Sequence, residues 1–341
     1  MKRVARAAAG GLALVALLAG CGGTTPAAPP TLSAASPSAE PTTIRIASLK
    51  GPTTMGLVEL MDQAAAGEGK QDYQVTMYGT PDEVVPLIVQ GEADVALIPA
   101  NLAAVLYNRT LGDDGAQIQV AAINTLGVLE ILESGDTVHS IADLAGRTIY
   151  ASGKGASPEY VLNYLLTSNG LDPATDVTVE YRSEHTEVAA LLASTPGAIA
   201  MLPQPFATVV KTQNPAIRTA LDLTAEWTKV TSESQMVTGV VVVRSAFVEE
   251  HPDAFADFLT DYQASTEFTN DHPAEAAVLI AEAGIVPAAP IAEAAIPASY
   301  VTYIDGAELK STFSGYLQVL FDADPASVGG SMPGDDFYFS R

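Results

Sequence analysis

The 341-residue chain has one cysteine, Cys21. That excludes an internal disulfide framework and any cysteine-rich zinc or iron–sulfur site. Four histidines (His139, His185, His251 and His272) are scattered, with no His-x-x-x-His pair among them. A histidine-based metal centre has no scaffold here, so no metal ligand and no cofactor is assigned. Positive charge is scarce: 16 Lys and Arg stand against 40 Asp and Glu, a formal net charge of −24. Phosphate backbones are bound by clustered Lys and Arg, so a nucleic-acid partner is excluded. Long apolar runs are missing beyond the amino terminus. The run Val240–Val243 is too short to span a bilayer and reads as a buried strand. What is present is a 48% hydrophobic share, enough for a packed core, on a length that suggests about two domains.

The first residues read as an export signal. Lys2, Arg3 and Arg6 precede the apolar run Ala7–Leu18, without a twin-arginine pair. The run ends in Leu18-Ala19-Gly20-Cys21. Residues 1–20 are expected to be removed, which takes away three positive charges and leaves −24 − 3 = −27. Residues 21–42, rich in Pro, Ala, Ser and Thr, cannot bury a core and are expected to form a semi-extended tether.

The body alternates strand and helix. Ile44–Leu49, Tyr73–Tyr78 and Asp94–Ile98 read as strands; helices are expected from Met55 to Ala66, after Thr80-Pro81-Asp82-Glu83, and through Leu102–Tyr107. Thr80 and Glu83 have capping-box spacing, with Pro81 between them at the first helical position. This alternation predicts a parallel α/β sheet. The pattern then recurs 104 residues later. Ala47, Ser48, Lys50, Gly51, Asp72, Val75, Glu83, Val84, Leu87, Ala96, Pro99, Ala103 and Val105 all have identical partners at that offset, with no gap. We therefore expect two similar α/β lobes with a ligand cleft between them, because open α/β sheets bind ligands beyond the carboxyl ends of their strands.

Leu18-Ala19-Gly20-Cys21 resembles a bacterial lipoprotein box, which implies lipidation of Cys21, with acyl chains such as palmitate anchoring the chain to the outer face of a cell membrane. Leu49–Met55, Gly91-Glu92-Ala93-Asp94-Val95-Ala96, Ile141–Arg147, Gly153–Glu159 and Ala198–Phe206 resemble type II periplasmic solute-binding proteins. Within that fold they are similar to the nitrate/sulfonate/taurine and thiamine-pyrimidine-precursor group of ABC-transporter solute-binding lipoproteins. The resemblance implies lobe one from 43–126 plus 236–341 and lobe two from 127–235. The crossings fall near Asn124–Leu129 and Gln235–Val243, and helices at Pro252–Thr269 and Glu308–Phe321 join lobe one. It implies a monomer that captures a small organic solute and delivers it to a permease. A receptor domain for a sensor and an enzyme share the fold. The enzyme relatives depend on a cysteine-rich iron motif or a cytosolic setting, neither of which fits this sequence, so no catalysis is expected.

The candidate solute contacts lie on the strand-end loops. Lobe one offers Lys50, Thr53, Thr54 and Asn101, with Thr125 at the first crossing beside Gly127. Lobe two offers Gly155, Ala156 and Ser157, where Ser157 reads as a helix N-cap and Pro158 as the first helical residue, and then Gln204 and Phe206. The segment is not a P-loop, since Gly-x-x-x-x-Gly-Lys-Ser/Thr is absent. Asn101 has two compatible roles, helix cap or solute contact. Phe206 is either core or a stacking surface for a flat ring. His185 is expected as an exposed residue in the first turn of its helix. Trp227, the sole tryptophan, is left open between cleft wall and core.

Overall fold

The computed structural model describes residues 40–112 and 115–340; the signal, Cys21 and most of the tether lie outside them. The described strands are β1 (Thr43–Leu49), β2 (Asp72–Tyr78), β3 (Val95–Pro99), β4 (Ile118–Thr125), β5 (Leu129–Glu133), β6 (Thr148–Ser152), β7 (Thr178–Arg182), β8 (Ile199–Pro203), β9 (Arg218–Asp222), β10 (Gly239–Arg244) and β11 (Val301–Ile304). They form two sheets, ordered β11-β4-β10-β3-β1-β2 and β7-β6-β8-β5-β9.

The repeat is visible in this topology. β2-β1-β3 and β7-β6-β8 are parallel trios with the same strand order. Beside each trio runs an antiparallel strand, β10 against β3 and β5 against β8. The sheets are therefore mixed rather than wholly parallel as expected. The reason is the crossing: after β4 the chain leaves the first sheet and enters the second as β5, and it returns to the first as β10, so each of these strands enters its sheet from the opposite end. β11 adds a further antiparallel edge to β4. Along β10, Val240 and Val242 pack on one side of the sheet while Val241 and Val243 pack on the other. A strand covered on both faces needs an unbroken apolar run, which the four valines supply.

Local chemistry explains the motifs. Asp94, almost fully buried, accepts hydrogen bonds from the Arg45 backbone N–H at 3.0 Å and from the Arg45 guanidinium at 2.8 and 2.6 Å, which ties the entry of β3 to β1. Before β6, Ser140 and Asp143 form a capping box on a short 3-10 turn. Gly146 takes φ 71°, and its N–H reaches Asp176 O at 2.6 Å. Thr80 and Glu83 form the expected capping box on the helix Pro81–Gln90. The helix expected from Met55 to Ala66 is two pieces, Pro52–Met55 and Val58–Ala66. Helices Pro252–Asp271 and Pro273–Glu282 pack on the Val58–Ala66 helix of lobe one. The helix Gly306–Ala323 touches both β4 and the second lobe's helix Ser157–Ser168. One apolar cluster consequently runs from Ile98 and Val240 in lobe one to Ile149 and Leu162 in lobe two.

Trp227 belongs to that cluster. It is 1% exposed, its ring lies 4.9 Å from Tyr164 and 5.5 Å from Tyr316, and its Nε1–H donates to Ser234 O at 3.0 Å. It is core at the junction of the lobes and does not line the central cavity described below. Among the described residues no helix is long and apolar enough to cross a membrane, and no group of three or more His, Cys, Asp or Glu is placed to hold a metal ion.

Candidate functional site

The strand-end loops of the two lobes meet at a seam. At its centre is a small cavity of about 70 Å³. Leu49, Lys50, Pro52, Thr53 and Pro99 line it from lobe one; Pro158, His185 and Pro203 line it from lobe two; Val128, Leu129 and Thr238 come from the crossings. Wider cavities lie along the same seam. One, of about 450 Å³, includes Lys50, Thr186 and Phe206. Another, of about 570 Å³, includes Thr80, Arg109, Lys154 and Arg182.

The polar inventory of the central cavity follows from where each proton goes. Thr53 Oγ1 donates to Leu49 O at 2.9 Å, and Thr238 Oγ1 donates to Leu126 O at 2.6 Å. Both hydroxyls thus face the cavity with lone pairs to offer rather than protons. Thr54 is fully buried; its hydroxyl donates to Leu49 O at 2.6 Å and accepts from Ser48 at 2.7 Å, so it braces the turn. Lys50 is half-buried and has no ion-pair partner among the described residues.

His185 is the residue that sequence reasoning misplaced. It is not an exposed first-turn residue. Its Nδ1 lies 2.5 Å from Ser152 Oγ, and its ring packs against Phe206, tilted by 38° with centroids 5.1 Å apart. Burial pushes the imidazole down to about 4, well below the usual 6.5. The ring is therefore neutral at neutral pH. Ser152 is almost fully buried and has no other hydrogen-bond partner, so its hydroxyl proton is best placed on Nδ1, leaving Nε2–H as a donor. Nothing within the 104-residue repeat signals this, because the equivalent of His185 is Pro81.

Phe206, 4% exposed, is both core and wall. A methyl group on Gly51 would stand 3.3 Å from its ring, so the two lobes touch here. Gly51 takes φ 142°, a backbone conformation that favours glycine.

The remaining candidates lie off the cavity. Asn101 caps nothing: Pro99 is the N-cap of the helix Ala100–Thr110. Its Nδ2 instead donates to Ser327 O at 3.0 Å and to Gly155 O at 3.3 Å. Ser157 is not an N-cap either. Ala156 holds that position, Pro158 falls one place later than expected, and the Ser157 hydroxyl turns to Asn101. Gln204 is committed at both ends of its amide, to Glu130 at 2.6 Å and to the Thr208 hydroxyl at 2.8 Å. Thr125 is fully buried and donates to Asn124 Oδ1 at 3.0 Å. Gly127 sits against Thr224. Gly155 and Ala156 border the wider basic cavity rather than the central one.

Two α/β lobes joined by crossing strands, with loops from both meeting over a cavity, define the type II periplasmic-binding-protein fold. The chain matches the model of the phosphonate ABC-transporter periplasmic substrate-binding protein family over residues 57–294, more than half its length, and belongs to that family. It is accordingly a solute-binding component of an ABC importer, of an extracytoplasmic class. Solved structures agree on the fold. An ABC transporter protein from Parabacteroides distasonis matches with a TM-score of 0.71 at 21% identity, over 88% of this chain and 99% of that one. The alkanesulfonate-binding protein SsuA of Xanthomonas axonopodis pv. citri, bound to MOPS, gives 0.67 at 15% identity, over 88% and 97%. The nitrate-binding protein NrtA of Synechocystis PCC 6803 gives 0.63 at 13% identity, over 85% and 84%. No curated protein matches the sequence.

Proposed function

We propose that the chain is a monomeric lipoprotein, anchored through acylated Cys21 on the extracytoplasmic face of the cell membrane, that captures a small organic solute between lobe one (43–126 plus 236–341) and lobe two (127–235). The loaded form delivers the solute to the permease of an ABC importer. The observation that carries this reading is the central cavity, where Lys50 and Thr53 of one lobe face His185 of the other across walls of proline and leucine. A group held there by Lys50, by His185 and by the threonine lone pairs touches both lobes at once, so binding and closure are one event. Phe206 backs His185 and closes the seam against Gly51. Gly155, Ala156, Ser157, Asn101, Gln204 and Thr125 shape the closed seam around it.

The site binds and does not turn over. The Ser152–His185 pair has the composition of a nucleophile and its base, but the histidine titrates near 4, too low for a base at neutral pH, and no carboxylate orients Nε2 among the described residues. The test is native mass spectrometry of the protein purified from its own host, followed by titration of the released compound onto wild type and Lys50→Ala. We expect one bound small molecule, recovered unchanged, and affinity at least tenfold weaker in the variant. A chain that carries no solute and is stabilised by none contradicts the reading.

A further inference from the structure

The 570 Å³ cavity beside Asn101 and Ser157 is chemically unlike the central one. Its charged walls are Arg109 from lobe one, Lys154 and Arg182 from lobe two, and a single carboxylate, Asp82. In a chain with 40 acidic and 16 basic residues, three cations against one carboxylate is a reversal of the overall balance. Arg109 and Lys154 form no ion pair among the described residues. Glu159 accepts from the Gly155 N–H at 2.5 Å and stands by Tyr181 at the rim of the cavity, without an ion pair to Lys154. Lys154 lies over the Tyr181 ring at 5.8 Å and Arg182 over the Tyr150 ring at 5.5 Å, contacts that hold both head groups in place. Arg182 also shares one edge with Glu180 at 3.1 Å. The volume lies in the range of whole organic ligand sites, whereas the 70 Å³ central cavity has room for one polar group of a solute.

Arg109 of lobe one and Lys154 of lobe two face this one space with no ion pair of their own among the described residues, and a bound anion that bridges them would draw the lobes together. Salt screens the distant acidic surface beyond about 8 Å, so the local cations decide what enters. We propose that the seam contains a second, anion-binding compartment, in which Arg109, Lys154 and Arg182 bind a multivalent oxyanion such as a diphosphate or polycarboxylate group and thereby favour the closed form. The compartment is independent of which solute the central cavity takes.

The test titrates inorganic diphosphate onto the full-length protein at constant ionic strength, balanced with chloride, by calorimetry and thermal shift. Wild type, Arg109→Gln/Lys154→Gln and Lys229→Gln are compared; Lys229 is an exposed charge outside the compartment, paired with Glu226. Arg109 and Lys154 are exposed, so the double variant keeps its fold, which circular dichroism checks. We expect saturable binding to wild type and Lys229→Gln, at least tenfold weaker binding to the double variant, and a smaller radius of gyration for wild type with diphosphate. No stabilisation of wild type beyond the chloride control overturns the proposal, as does equal binding by the double variant; an unchanged radius overturns its closure half. Because the readout is diphosphate, failure here leaves the Lys50 titration of the solute untouched, and failure of that titration leaves this one untouched.

Discussion

Asn101 and Ser157 bind each other across the seam: the Asn101 backbone N–H donates to Ser157 Oγ at 3.2 Å, and the Ser157 hydroxyl donates to Asn101 Oδ1 at 3.2 Å. Both side chains are fully buried, one in each lobe. The pair ties the two lobes to each other. Ser157→Ala removes it without adding bulk. At about 1 kcal/mol per hydrogen bond, the variant should bind its solute five- to thirtyfold more weakly and show a larger radius of gyration in small-angle scattering. Unchanged affinity and radius would show that the bond does not hold the lobes together.

Gly51 against Phe206 is a second contact between the lobes and offers a separate test. Alanine there meets both a φ of 142° and the Phe206 ring at 3.3 Å. The strain amounts to about 1–3 kcal/mol. Gly51→Ala should weaken solute binding by tenfold or more, and Gly51→Ala/Phe206→Leu should recover part of that loss. A titration of both variants reads it.

His185 makes the fold acid-sensitive. Its folded value near 4 lies below the unfolded 6.5, so the unfolded chain takes up a proton that the folded chain refuses. The stability it contributes is complete above pH 6.5 and is lost as pH falls toward 4. By pH 5 the loss is about 2 kcal/mol. Urea unfolding at pH 7.5 and pH 5 should show that loss in wild type and a smaller one in His185→Gln. An equal loss in both would place the histidine in solvent.

Trp227 reports on packing rather than on the solute. Sealed between Tyr164 and Tyr316, it should emit at short wavelength and change little when solute is added. Trp227→Ala should cost about 3–5 kcal/mol of stability in urea. A large solute-dependent shift would put this ring in the cleft.

Cys21 lies outside the described residues, and its lipidation is testable directly. Labelled palmitate should enter the wild-type protein and not Cys21→Ser, which should leave the membrane fraction. Equal labelling of both would remove the anchor from the account.

The sequence made the duplicated half of each lobe readable. Identical residues at a fixed offset fall on β1 and β6, β2 and β7, β3 and β8, and on the helices that follow the second and third of these pairs, because repeated burial demands repeated residues. The antiparallel strands β5 and β10 escaped it, since direction within a sheet is set by where the chain crosses, and an apolar run carries no direction. Lys50 and Thr53 were legible as strand-end residues. Asn101, Ser157 and Gln204 were legible only as polar residues near a seam, because their partners (Ser327, Gly155, Glu130) are remote in sequence. His185 was misread for the same reason: helix position alone suggests exposure, while Ser152 and Phe206 arrive from other strand ends.

The central claim is that one solute is gripped by both lobes at the seam. Hydrogen–deuterium exchange with and without the co-purified solute tests it most directly. The account predicts simultaneous protection of residues 50–54 in lobe one and of 152–157 and 204–207 in lobe two, at one concentration midpoint. Protection confined to one lobe, or appearing away from the seam, would contradict it.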